Sequence, residues 1–170
     1  WSAIGATSPG TYANSGHNNN LSFIIGETGV LVFNAGDNYL LARALHDEIK
    51  RITPLPVQAV ALENGQGHAM LGSNYWQEQG VPIIAHVETA DEMENHGEEI
   101  IQRMQRRNGE KARNTHPTVP DQTFEDKLSI DLGGIVVELL YLGPSHSPGD
   151  IVAWMPAQKL VISGDMAFHE

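Results

Sequence analysis

The order of the apolar segments constrains the fold of this chain more than any other feature of its sequence. Leu21–Ile25 and Val30–Phe33 are β-type runs on either side of a short glycine-containing turn, which predicts a hairpin. Apolar residues then recur at helical spacing over 38–52. Two prolines separate that helix from residues 57–62, a short apolar run typical of a buried strand. This part of the chain therefore predicts the order strand, strand, helix, strand.

The rest of the chain continues the alternation and then changes to strands alone. A short helix is predicted around 69–79, a buried strand over 81–85, and a long helix from the capping-box pattern that begins at Thr89. After a surface loop over 108–122, further strands are predicted over 127–132, 135–142, 151–154 and 160–163. Helices and strands in this order favour a layered α/β sandwich, and we expect all 170 residues to form one domain.

The charge and the absence of cysteine exclude several classes of function. Ten basic residues stand against 21 acidic ones, for a formal net charge of −11. Nucleic acids and anionic lipid surfaces bind basic footprints, so we expect neither as a partner. Without cysteine the chain can form no disulfide, no thiolate nucleophile and no cysteine-ligated metal site. No apolar run approaches the roughly 20 residues that span a bilayer.

Eight histidines are the unusual element of the composition. His46, His96 and His116 fall within predicted helices or a polar loop, where packing or solvated roles are expected. His68 and His146 instead follow predicted strands within glycine-containing loops, the usual place of ligands in layered α/β folds. Asp165 also follows a predicted strand. If these strand ends share one edge, two imidazoles and one carboxylate meet there and can hold a divalent cation.

Three segments carry a resemblance to a known family. They are Ala61-Leu-Glu-Asn64-Gly-Gln66-Gly-His68-Ala69 with the residues up to Trp76, Gly143-Pro-Ser-His146-Ser-Pro-Gly-Asp150, and Ser163-Gly-Asp165. Together with the order of strands and helices, they resemble the metallo-β-lactamase superfamily. The resemblance implies a four-layer αβ/βα sandwich. It also implies that this chain stops before the last strands and helices of the family domain.

The family's signature is H-x-H-x-D-H, followed by a glycine and, in many members, an aromatic pair. When Gly72 and the aromatic pair at 75–76 are aligned with these residues, every position of the signature is altered in this chain. Asn64 and Gln66 stand where the resemblance places histidines, His68 replaces the aspartate, and Ala69 replaces the last histidine. His146 and Asp165 keep their family positions. Neutral amides are weak ligands for zinc, so the resemblance does not support the usual dinuclear centre.

We therefore expect at most one divalent cation, with zinc favoured and iron or nickel as alternatives. His68, His146 and Asp165 are its expected ligands, and Asn64 or Gln66 could complete the set. Glu63 is either an additional oxygen donor, a general base or a solvated strand end. His169 lies too close to Asp165 to replace the later histidine ligand of many relatives.

Two functions follow as expectations from this reading. The first is metal-dependent hydrolysis of an ester, lactone, thioester or amide in a small-molecule substrate, with Asn64 and Gln66 hydrogen-bonded to water or to the substrate carbonyl. The second is a catalytically silent family member that serves as a binding or interaction module. Similarity to exported bacterial relatives and the acidic charge favour the periplasm or secretion, with the cytoplasm as the alternative.

Overall fold

The structure is a computed structural model that describes residues 1–167. Its larger sheet contains six strands, β1 to β6, in chain order: Ser2–Ala3, Leu21–Ile25, Val30–Phe33, Val57–Ala61, Ile83–His86 and Gln122–Phe124. The first three pair antiparallel, and β3 to β6 pair parallel. The predicted hairpin is therefore confirmed as β2 and β3.

The smaller sheet is an antiparallel meander of four strands. These are β7 (Lys127–Asp131), β8 (Val136–Tyr141), β9 (Ile151–Met155) and β10 (Leu160–Ile162). Alternate side chains of this sheet, among them Leu139 and Ile151, pack against Leu31 and Phe33 of the larger sheet. Burial of this apolar layer holds the two sheets face to face.

The opposite face of the larger sheet is covered by helices. They are α1 (Tyr39–Ile52), α2 (Gly67–Met70), α3 (Ser73–Glu78) and α4 (Val87–Asn108). Asn38 caps α1 by accepting a hydrogen bond from the N–H of Leu41 at 2.9 Å, and Leu45 and Ile49 lie on its buried face. These side chains and the fully buried Trp76 of α3 form a second apolar core with the sheet.

Helices, larger sheet and smaller sheet are three successive layers, so the predicted α/β sandwich is confirmed. Within residues 1–167 no α-helix contributes to the core of the smaller sheet, so the fourth, helical layer of the predicted αβ/βα arrangement is not part of the described structure. Within residues 1–167, all four α-helices contribute side chains to the core on the larger sheet. None of the helices in this part of the chain is long and apolar enough to cross a membrane.

The long helix begins earlier than predicted. Its first residue is Val87, and a ring nitrogen of His86 accepts the N–H of Glu88 at 3.2 Å, so His86 is the cap. Thr89 lies inside the helix, where its hydroxyl donates to the carbonyl of Gly149 at 3.1 Å. This tertiary contact replaces the predicted capping box.

Two other local predictions also change. The helix predicted around 69–79 is split into α2 and α3. Strand β6 begins at Gln122, within the predicted loop, because it pairs with β5. None of these corrections alters the layers or their order.

Candidate functional site

Two carboxylates converge on one histidine ring beyond the carboxyl end of β4. The Nε2 atom of His68 lies 3.0 Å from Oε1 of Glu63 and 3.1 Å from Oδ2 of Asp165. The side chains of Glu63, His68 and Asp165 are only 3%, 13% and 16% exposed. Glu63 and His68 follow β4 of the larger sheet, whereas Asp165 follows β10 of the smaller one. Both sheets therefore supply ligand-type side chains to the same point.

Backbone hydrogen bonds on both sides of Glu63 fix its position. Its N–H donates to Oδ1 of Asn34 at 3.0 Å, and its carbonyl accepts the N–H of Ile151 at 2.9 Å. Asn34 is buried in the left-handed region, with φ of 77°, a conformation that asparagine tolerates better than most residues. Because Glu63 is buried, its interpretation as a solvated strand end is wrong.

Asn64 holds the loop after β4 against the smaller sheet. It is completely buried, and its Nδ2 donates to Asp150 at 3.1 Å and to Oδ2 of Asp165 at 3.3 Å. Its Oδ1 accepts the N–H of Gln66 at 3.0 Å. Both amide hydrogens are thus engaged within the protein, and one of them orients the Asp165 carboxylate.

His146 lies at the rim of this cluster. Its side chain is 44% exposed, and its Nε2 is 3.9 Å from Oδ2 of Asp165. The loop that carries it is held by Asp150, which accepts hydrogen bonds from both the N–H and the hydroxyl of Ser147. The structure therefore brings His68, His146 and Asp165 together, with His146 the most accessible of the three.

Two open cavities flank the cluster. A cavity of about 810 Å³ is lined by Glu63, Asp165 and the segment between β1 and β2. A second cavity of about 520 Å³ lies on the helical side and is lined by His68, Gln66 and residues of α4. Gln66 therefore lies beside His68 at the cavity wall, whereas Asn64 is enclosed.

The opposite charges of His68 and its two carboxylate neighbours shift the pKa values within the cluster. Burial by itself lowers the pKa of His68, but the hydrogen bonds and charges of Asp165 and Glu63 outweigh it and raise that pKa to about 9. Burial acts to raise the pKa of Asp165, but the hydrogen bond and charge of His68 bring it below its ordinary value. A protonated His68 between two carboxylates is therefore the stable state of the cluster without a cation.

The family model of the metallo-beta-lactamase superfamily matches residues 68–170, more than half of the chain. This chain belongs to that superfamily. The match begins at His68, so Glu63, Asn64 and Gln66 precede it.

Individual members of the superfamily are similar over part of their length. A type 2 metallo-beta-lactamase of Bacteroides fragilis is 35% identical over 48 residues, which are 28% of this chain and 19% of that protein. The solved metallo-beta-lactamase from Pontibacter korlensis is 19% identical with a TM-score of 0.70, over 85% of this chain and 58% of that one. The crystal structure of metallo-beta-lactamase IND-7 is 18% identical with a TM-score of 0.66, over 84% and 56%.

This superfamily chain thus spans little more than half the length of these solved structures. At such low identity, the structural similarity establishes the shared fold. The predicted fold class and family are confirmed. The last three residues, His169 among them, lie outside the described part of the chain.

The residues present do not fit the superfamily's dinuclear centre. At the signature positions, the Asn64 amide donates hydrogen bonds to two aspartates, and Ala69 is fully buried and has no atom that could bind a metal. They do fit a single cation, because Glu63, His68 and Asp165 each offer one ligand atom and these atoms lie within 4.8 Å of one another. Imidazole with carboxylates suits several divalent metals, including zinc, iron and manganese.

Sequence reasoning missed two supporting residues of the site. Asp150 anchors both Asn64 and the loop of His146, and Asn34 anchors Glu63. Asp150 is the last residue of the second family motif, and this position could have marked it as part of the site. No local pattern marks Asn34, because its partner lies 29 residues away.

Proposed function

We propose that this chain contains the site of a metal-dependent hydrolase that holds at most one divalent cation and acts on an ester, lactone, thioester or amide. The observation that supports the proposal is the convergence of a buried Glu63 with the half-buried His68 and Asp165, whose ligand atoms lie within 4.8 Å of one another. Membership of the metallo-beta-lactamase superfamily supports the same class of reaction. Zinc remains the first choice of metal, with iron or nickel as alternatives.

A divalent cation at such a site supplies Lewis acidity, polarising a carbonyl and making water acidic enough to attack near neutral pH. The chain provides position and charge. Asn64 acts as a positioning residue because its amide hydrogen bond holds the Asp165 carboxylate beside His68. Gln66 lies at the wall of the second cavity, where its side chain could hydrogen-bond a substrate carbonyl.

The cavities favour a small-molecule substrate. Volumes of about 810 and 520 Å³ lie in the range of sites that enclose compounds of drug size. A chain with a net charge of −11 does not attract polyanions. These features support a small ester, lactone, thioester or amide over a nucleic acid or a membrane lipid.

The test combines metal analysis with hydrolysis. Protein purified without added metal should contain at most one zinc, iron or nickel per chain, and it should hydrolyse at least one of a chromogenic ester, a lactone, a thioester and an amide. His68→Ala should abolish both metal binding and hydrolysis, whereas His116→Ala, at an exposed loop histidine, should change neither. Two tightly held ions per chain, or activity that survives a chelator and His68→Ala, would contradict the proposal.

The alternative is a silent family member that binds a partner or ligand. The observation in its favour is that the Asn64 amide is engaged in hydrogen bonds within the protein and Ala69 has no ligand atom, while the fold is retained. The changes Asn64→His, Gln66→His, His68→Asp and Ala69→His would rebuild the ligand set that the family resemblance implies. If this variant gains tight zinc binding and hydrolysis while the natural protein shows neither, the natural protein is a silenced hydrolase. Hydrolysis by the natural protein that His68→Ala removes would support the enzyme.

A further inference from the structure

We propose that Glu63 is a ligand of the bound cation and that His146 is not, so that one imidazole and two carboxylates form the site. This inference rests on the proposed function, since it names the groups that hold the ion. It also changes the predicted ligand set, in which Glu63 was one of several options and His146 was a ligand. The consequence is a harder, more oxygen-rich site than a set of two histidines and one carboxylate would give.

Distances between the potential ligand atoms favour Glu63 over His146. Ligand bonds of about 2.0–2.2 Å place two ligand atoms of one ion at most about 4.4 Å apart. Glu63, His68 and Asp165 form a set whose ligand atoms lie mutually within 4.8 Å, and His146 is outside this set. The Nε2 atom of His146 lies 3.9 Å from Oδ2 of Asp165. One ion can therefore contact the first three groups with small adjustments.

Burial gives a second argument. Glu63 is 2% exposed, and a buried carboxylate is costly unless it is paired or binds a metal. Here two carboxylates face a single histidine ring, which can carry at most one positive charge against their two negative charges. A divalent cation balances these two charges. The side chain of His146, in contrast, is 44% exposed, so water can solvate its ring.

The turn that carries Asp165 is shaped around the Glu63 carboxylate. Gly164 has φ of 53°, and a Cβ atom at this residue would lie 1.8 Å from Oε2 of Glu63. Any side chain at 164 would therefore displace the carboxylate. Because the neighbouring residue is Asp165, the absence of a side chain at 164 allows the two carboxylates to approach the same histidine.

Metal preference follows from this donor set. Oxygen donors suit manganese, whereas imidazole donors favour zinc, iron and nickel. Zinc still binds tightly by its intrinsic affinity, but its advantage over manganese should be smaller than at a histidine-rich site. Glu63→His should enlarge that advantage by replacing an oxygen donor with a nitrogen donor.

The experiment measures binding of Zn²⁺ and Mn²⁺ by calorimetry to the metal-free protein and to matched variants. Glu63→Gln keeps the size of the side chain but removes its charge, and it should weaken both ions at least tenfold and reduce the metal-induced rise in melting temperature. Glu92→Gln is the control, since the Glu92 carboxylate packs against Gly65 of the same loop but lies outside the ligand set. It should leave both affinities within about twofold.

Unchanged affinity in Glu63→Gln together with loss of binding in His146→Ala would overturn the inference. If Glu63→Gln fails to fold, X-ray absorption of the zinc-loaded natural protein decides the matter, because it counts imidazole ligands. One imidazole per zinc is the expected result, and two would contradict it. A natural protein that binds no ion refutes the proposed function itself, whereas one bound ion held by two histidines refutes only the role of Glu63.

Discussion

Two largely enclosed histidines of this chain, His46 and His68, occupy opposite electrostatic environments. His46 of α1 lies against Trp76, with ring centroids 4.9 Å apart, and its Nδ1 is 2.9 Å from the hydroxyl of Tyr75. Burial lowers its pKa, and nearby Lys50 lowers it further. His68 is also largely enclosed, but two carboxylates face its Nε2 atom and hold its pKa at about 9.

The difference shows that burial alone does not identify a functional histidine. His46 has one neutral hydrogen-bond partner and aromatic neighbours, so the neutral ring fills a polar gap in the helical core. His68 has more negative charge around it than one proton can neutralise. An excess of charge of one sign inside a protein favours binding of an ion of the opposite sign, and this distinguishes a candidate site from packing.

The largest expected effect that separates the two histidines is on metal affinity. His68→Gln should weaken zinc binding by at least about a hundredfold, since it removes the nitrogen ligand of the proposed site. His46→Gln should leave zinc affinity within about twofold, because His46 contacts none of the proposed ligands. Calorimetric titration of both variants provides the comparison. Equal losses of zinc affinity in the two variants would contradict the assignment of the metal site to His68.

A pH dependence of the metal-free protein gives the next effect. The pKa of His68 is raised from 6.5 to about 9, so the folded state binds its proton more tightly than the unfolded state does. The resulting stability is fully present below about pH 6.5 and is lost as the pH rises to about 9. With a chelator present, the free energy of unfolding should fall by about 2 to 3 kcal/mol across this window.

Urea unfolding at several pH values measures this change. His68→Gln should flatten the profile between pH 6.5 and 9, whereas His46→Gln should preserve it. A natural protein whose stability stays constant over this range would show that the carboxylates do not act on His68 as the structure indicates.

The smallest effect concerns the partner of His46. Tyr75→Phe removes the hydroxyl that bonds to Nδ1, and it should lower the free energy of unfolding by about 1 kcal/mol. Because the pKa of His46 is lowered, its contribution to stability is present above about pH 6.5 and is lost as the pH falls. This pH dependence of stability is opposite in sign to that of His68. Thermal unfolding at pH 5 and pH 7 should show the contribution of His46, and Tyr75→Phe should leave zinc affinity unchanged.

The fold was largely predictable because its signals are local. The turn between β2 and β3 and the helical spacing of Leu45 and Ile49 each lie within a few residues of the element that they specify. The start of α4 was not predictable in this way. The threonine expected to cap the helix instead bonds to Gly149, which is 60 residues away.

The site was predictable only in outline. Positions after strands marked His68 and Asp165 as neighbours, and the structure places them 3.1 Å apart. The burial of Glu63 depends on Ile151 and on the space left by Gly164, and both are distant in the chain. Sequence reasoning therefore had no means to choose between a ligand and a solvated strand end for Glu63.

The bonds around Asn64 and Glu63 have a mechanical meaning. Asn64 joins the loop of the larger sheet to Asp150 and Asp165 of the smaller sheet, and the carbonyl of Glu63 accepts the N–H of Ile151 at the start of β9. These hydrogen bonds therefore connect the two sheets at one edge of the sandwich, and a force that slides one sheet over the other has to break them. An ion bound by Glu63 and Asp165 would strengthen this connection. Slower hydrogen exchange at the Ile151 amide would then measure how strongly the two sheets are held together at this edge.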